Sequence, residues 1–131
     1  FDLYVTRLDS TGQTSWVRTY SGTNDDLGNG IATDGQGGAL VAGDYGGTID
    51  LGAGTVTAKG LRDCFVTRLD STGQTSWVKT FGAAADDDAA DLAADGQGGS
   101  LVTGYFAFTT DFGYGPVVSN GAADIYVLRI P

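Results

Sequence analysis

The chain has 131 residues and carries 16 Asp, no Glu and seven Lys or Arg, for a net charge of −9. That balance excludes the basic stripe of a nucleic-acid surface and argues against an anionic membrane face; solubility or cation binding remain as readings of the acidity. With 22 Gly and every acidic residue an Asp, the composition favours strands and turns over helix.

Asp2–Asp9 (DLYVTRLD) alternates, with Tyr4, Thr6 and Leu8 on one face and Val5 and Arg7 on the other, which predicts a strand. Ser10–Gln13 is a turn with Gly12 available for positive φ, and Thr14–Tyr20 is the returning strand. A four-residue loop sets Asp9 opposite Thr14 and Arg7 opposite Trp16, bringing an Arg over an indole face. Ser21–Gly30 (SGTNDDLGNG) reads as an acidic loop entering a short inner strand, Ile31–Asp34. Asp34–Gly38 (DGQGG) is a hairpin turn. Ala39–Gly43 is apolar without alternation, as suits a middle strand buried on both faces. Gly46–Arg62 is a long connection with a small hairpin around Gly52–Gly54.

The chain then repeats itself. Val5–Val17 (VTRLDSTGQTSWV) recurs without change as Val66–Val78, 61 positions later. Asp34–Gly38 recurs as Asp95–Gly99, and Asp2–Arg7 returns as Asp63–Arg68 and Asp124–Arg129. No gaps are needed, and such self-similarity marks arrays, solenoids and propellers. Each repeat supplies a short inner strand, an apolar middle strand and a hairpin pair. The expected fold is therefore all-β: a β-propeller-like array of four-stranded antiparallel blades, with repeats at 1–61 and 62–122 and a third beginning at 123–131. The main strands group as two, then four, then three. Open sheet edges at both ends predict association with further blades or other copies of the chain. The chain opens on Phe1 rather than Met, which fits a mature product or a segment of something longer.

The pattern Asp25-Asp26 … Ile31-Ala32 … Asp34 … Gly38 … Val41 … Gly43, followed by Asp63 … Phe65-Val66 … Leu69 … Gly73 … Trp77, resembles the bacterial β-propeller repeat known as the SBBP repeat. The resemblance covers essentially the whole chain. It departs at Gly37 and Gly98, where that family often has Asn. It implies an extracellular or surface-associated bacterial propeller, and no general catalytic residues.

The residues agree in offering little chemistry. Without His there is no Ser-His-Asp or Cys-His arrangement and no His-based metal site. No glycine stretch leads into a phosphate-binding Lys-Ser or Lys-Thr pair. Cys64 aligns with Leu3 and Ile125, an apolar position. No catalytic residue and no required cofactor are expected. The candidate cation site is the acidic loops, Asp25 and Asp26 with Asp86, Asp87 and Asp88, since Ca²⁺ takes carboxylate and carbonyl oxygens; the competing reading is that these side chains organise turns. Asp34 and Asp95, like Asp50 and Asp111, read as turn formers. Arg7, Arg68 and Arg129 recur on one strand position and read as packing or ion-pair residues. Trp16 and Trp77 either pack between blades or, if exposed, offer a platform for carbohydrate. No apolar run is long enough to span a membrane.

Overall fold

The computed structural model describes residues 1–131, and the molecule is all-β, with 13 strands and no helix. Strand β1 (Leu3–Leu8) pairs with β2 (Thr14–Tyr20) in a two-stranded sheet. Strands β3 (Asp26–Thr33), β4 (Ala39–Tyr45), β7 (Asp63–Leu69) and β8 (Thr75–Phe81) form a four-stranded sheet in the order β3-β4-β7-β8. Strands β9 (Asp88–Ala94), β10 (Ser100–Phe106) and β13 (Asp124–Ile130) form a three-stranded sheet with β10 in the middle. Two small hairpins, β5 (Thr48–Asp50) with β6 (Thr55–Thr57) and β11 (Thr109–Asp111) with β12 (Pro116–Val118), project from the long connections. Every pairing between these strands is antiparallel, and no sheet closes on itself.

The two long hairpins have the same register. Arg7 lies opposite Trp16 and Arg68 opposite Trp77. Asp9 does not face Thr14, as a plain four-residue loop would require. A bulge after Arg7 sets Leu8 opposite Thr14, and the same bulge follows Arg68. The extra residue shortens the effective loop, and the Asp9 carboxylate then accepts the Thr11 and Gln13 N–H groups to close it.

The inner strands start earlier than the sequence suggests. β3 begins at Asp26 and β9 at Asp88, absorbing much of each acidic loop. Small residues make this workable. A Cβ on Gly30 would stand 2.7 Å from the Leu92 backbone N, so only glycine lets β3 approach β9 this closely.

Two apolar clusters hold the sheets face to face. Leu3, Val5 and Tyr20 of the first sheet pack with Val41, Tyr45, Phe65 and Leu69 of the central one. The opposite face of the central sheet, through Leu40, Ala42, Cys64 and Val66, packs with Leu92, Val102, Tyr126 and Leu128 of the third. The middle strands β4 and β7 are therefore buried on both faces, whereas β10 and β13 alternate buried and exposed because nothing covers their far side.

Candidate functional site

The aspartates are local devices first. Asp9, Asp34, Asp50, Asp70, Asp95 and Asp111 each accept backbone N–H bonds from residues two and four positions ahead. This is the turn-forming role expected of Asp34, Asp95, Asp50 and Asp111. The Thr11 hydroxyl beside Asp9, and the Thr72 hydroxyl beside Asp70, hold these carboxyls below the usual carboxylate range.

The recurring arginines brace the turns. Arg68 donates to Asp34 Oδ2 at 2.9 Å and to Gln36, and Arg129 donates to Asp95 Oδ2 at 2.6 Å. Burial pushes the Asp34 carboxyl up, but the Gln36 N–H and the Arg68 guanidinium outweigh it and the net shift is downward. Asp95 is lowered in the same direction, first by the Gln97 N–H. Arg7 has no carboxylate partner; it donates instead to the carbonyls of Gly37 and Ser71, linking the first sheet to the turns of the second.

Trp16 is a packing residue. Its indole N–H donates to the Ser71 carbonyl at 3.1 Å, and a Cβ on Gly73 would stand 2.7 Å from its ring. The cation near the ring is Arg18, with its guanidinium carbon 5.9 Å from the ring centroid, not Arg7 as the pairing alone suggests. Arg18 also donates to the Gly73 and Thr72 carbonyls. Trp77 is half-buried against the second apolar cluster.

The acidic loops do not gather into a cage. Asp25 and Asp86 are exposed. Their neighbours Asp26 and Asp87 are buried and accept N–H bonds from Gly22 and Ala83, four residues back. Asp88 feels the charges of Asp44 and Arg62 instead. No three His, Cys, Asp or Glu side chains converge to hold a metal ion.

Sequence reasoning missed one polar junction. Asp44, fully buried in β4, accepts from Asn29 at 2.8 Å and Arg62 at 3.1 Å, and Asn29 also donates to the Ala89 carbonyl of β9. Burial, with Asp44 adding repulsion, pushes the Asp88 carboxyl up against the pull of Arg62. Its Oδ1 is buried with no partner. The available signal was a carboxylate inside an otherwise apolar run; the repeat hid it, because the equivalent position holds Tyr105. Cys64 lies in the core as its alignment suggests, and burial pushes its thiol up to about 12, too high for a nucleophile.

No known protein family and no characterised protein matches this chain.

Proposed function

We propose that this chain is a non-catalytic scaffold: successive four-stranded blades of a β-propeller-like array with a 61-residue repeat. One observation carries the reading. The middle strands of the central sheet, β4 and β7, are buried on both faces by sheets that carry the same repeated sequence. Stacking of like on like is how a repeat array builds a core. The polar side chains support the reading, since most of them brace turns and junctions instead of surrounding a cavity. The partners are further blades of the same protein or other copies of it. The resemblance to SBBP repeats supports a place in a secreted or surface protein of a bacterium.

A carbohydrate-binding reading has one observation in its favour, the partly exposed Trp77 indole. Any calcium assistance would come weakly from Asp25, Asp26 and Asp86–Asp88. A glycan array probed with and without chelator separates the two. The scaffold reading expects no signal above background in either condition. Binding that disappears in Trp77→Ala replaces it with the carbohydrate reading, and loss under chelator assigns a metal to the acidic loops.

A further inference from the structure

We infer that the Asn29-Gly30 pair in β3 is a self-modification site, at which loss of the Asn29 side-chain amide parts the central sheet from the third one. The inference concerns the chemical lifetime of that contact and goes beyond the scaffold reading.

The sequence contains two Asn-Gly pairs, Asn29-Gly30 and Asn120-Gly121. Such a pair carries its own reaction. The backbone nitrogen of the glycine attacks the side-chain carbonyl carbon of the Asn. The new N–C bond replaces the bond to the side-chain nitrogen, which takes the proton of the peptide N–H and leaves as ammonia. Water then opens the cyclic imide at either carbonyl and leaves aspartate or isoaspartate. Glycine favours the attack, because no Cβ shields its nitrogen.

The backbone leaves Asn29 free to take part. The ladder between β3 and β4 passes from Gly28 opposite Gly43 to Gly30 opposite Ala42, so Asn29 is the extra residue of a bulge. Asn29 is also exposed, within reach of water. What holds it is its side chain. The amide nitrogen donates to Asp44 Oδ1 at 2.8 Å and to the Ala89 carbonyl at 3.2 Å. Asp44 is fully buried, and Arg62 donates to its other oxygen at 3.1 Å, so the acceptor is fixed and the amide must leave it before the ring can close. Asn120 has no such restraint. Its side chain makes no hydrogen bond, and only its backbone N–H is held, by Asp124 Oδ2 at 2.8 Å.

The product does not fit the place that the amide leaves. A carboxylate at position 29 has no proton to give Asp44 or the Ala89 carbonyl, and it sets a second negative charge against a buried one. Isoaspartate adds a methylene to the backbone of β3 directly before Gly30. There β3 has no slack, since a Cβ on Gly30 would stand 2.7 Å from the Leu92 backbone N and 3.0 Å from the Asp91 Cα. Both products push β3 away from β9, and the change is one-way because the ammonia is lost.

Long incubation in mildly alkaline buffer, followed by peptide mapping with mass detection, compares the two pairs within one sample. In the folded chain Asn29 should convert roughly tenfold or more slowly than Asn120, since a hydrogen bond to a charged acceptor must break first. In concentrated urea the two rates should converge. Asp44→Ala should speed conversion at Asn29 and leave Asn120 unchanged. Asn29→Asp should lower the urea midpoint and speed amide hydrogen exchange in β3 and β9 more than in the β1–β2 hairpin, whereas Asn120→Asp should do neither. Equal rates at the two pairs in the folded chain overturn the inference, and so does an Asn29 rate indifferent to Asp44→Ala. An Asn29→Asp chain with an unchanged midpoint and unchanged exchange overturns it as well. The folded-to-unfolded comparison needs no variant, so it decides the matter even where Asp44→Ala fails to fold.

Discussion

Asp26 and Asp87 occupy the same place in their repeats and are buried alike, yet they are not equally satisfied. Asp87 Oδ1 accepts from the Thr110 hydroxyl at 2.9 Å, whereas Asp26 Oδ1 has no partner, because Ile49 stands where Thr110 does. Burial raises the Asp26 carboxyl accordingly. Thr110→Val should leave Asp87 in the same position at nearly constant side-chain volume. A hydrogen bond to a charged group contributes about 1.5–3 kcal/mol, and urea denaturation should show a loss in that range. A second residue runs against its backbone. Phe108 sits at φ 59°, and it is the single non-glycine residue at positive φ; its equivalent is Gly47 at φ 63°. The left-handed region costs an L-residue about 1–2 kcal/mol, and the exposed ring has little packing to lose. Phe108→Gly should therefore raise stability by about 0.5–1 kcal/mol after the greater freedom of glycine in the unfolded chain is counted. A lower urea midpoint would show that the ring contributes more than its exposure suggests.

At the scale of the hairpin, two identical turns lie in different surroundings. Gly12 and Gly73 have φ of 83° and 79°, but nothing lies within 4 Å of a Cβ on Gly12, while one on Gly73 meets the Trp16 ring. Gly12→Ala should cost only the backbone strain, about 1 kcal/mol. Gly73→Ala should cost a further 1–3 kcal/mol, roughly the range for overpacking. The difference between the two measures the contact between sheets with the turn itself cancelled out. Equal losses in chemical denaturation would show that the indole moves aside freely.

For the whole molecule, the shifted carboxylates set the pH response. Asp9, Asp34, Asp70 and Asp95 are lowered, so the stability they contribute is present above the unfolded carboxylate pKa and lost as pH falls through their folded values. Asp26, Asp63 and Asp88 are raised by burial, so their contribution is complete below the unfolded value and lost as pH rises through the folded ones. The two sets change in opposite directions on either side of about pH 4, the unfolded value for Asp. Urea midpoints measured from pH 3 to 8 should peak on the acid side of neutrality and decline toward both ends. A steady rise from pH 4 to 7 would show that the buried carboxylates have found partners.

The repeat, the strand grouping of two, four and three, the Asp turns and the Arg braces were all legible in the chain. They depend on local backbone bonding and on a period that any reader can count. The two-sided burial of β4 was legible for the same reason, since a continuous apolar run at strand length has no solvent face. The environment of each copy was not. Trp16 and Trp77 lie in the same thirteen-residue sequence, yet Trp16 donates to the Ser71 carbonyl of the next hairpin and Trp77 packs on the other apolar cluster. Leu92 is buried and Ile31 is exposed although they share a repeat position. The junction of Asn29, Asp44, Arg62 and Asp88 brings together residues from the central sheet, the connection that leads into β7 and the third sheet, and no spacing in the sequence joins them. Local chemistry repeats because the sequence repeats; burial and partnership do not, because they depend on which sheet stands on either side.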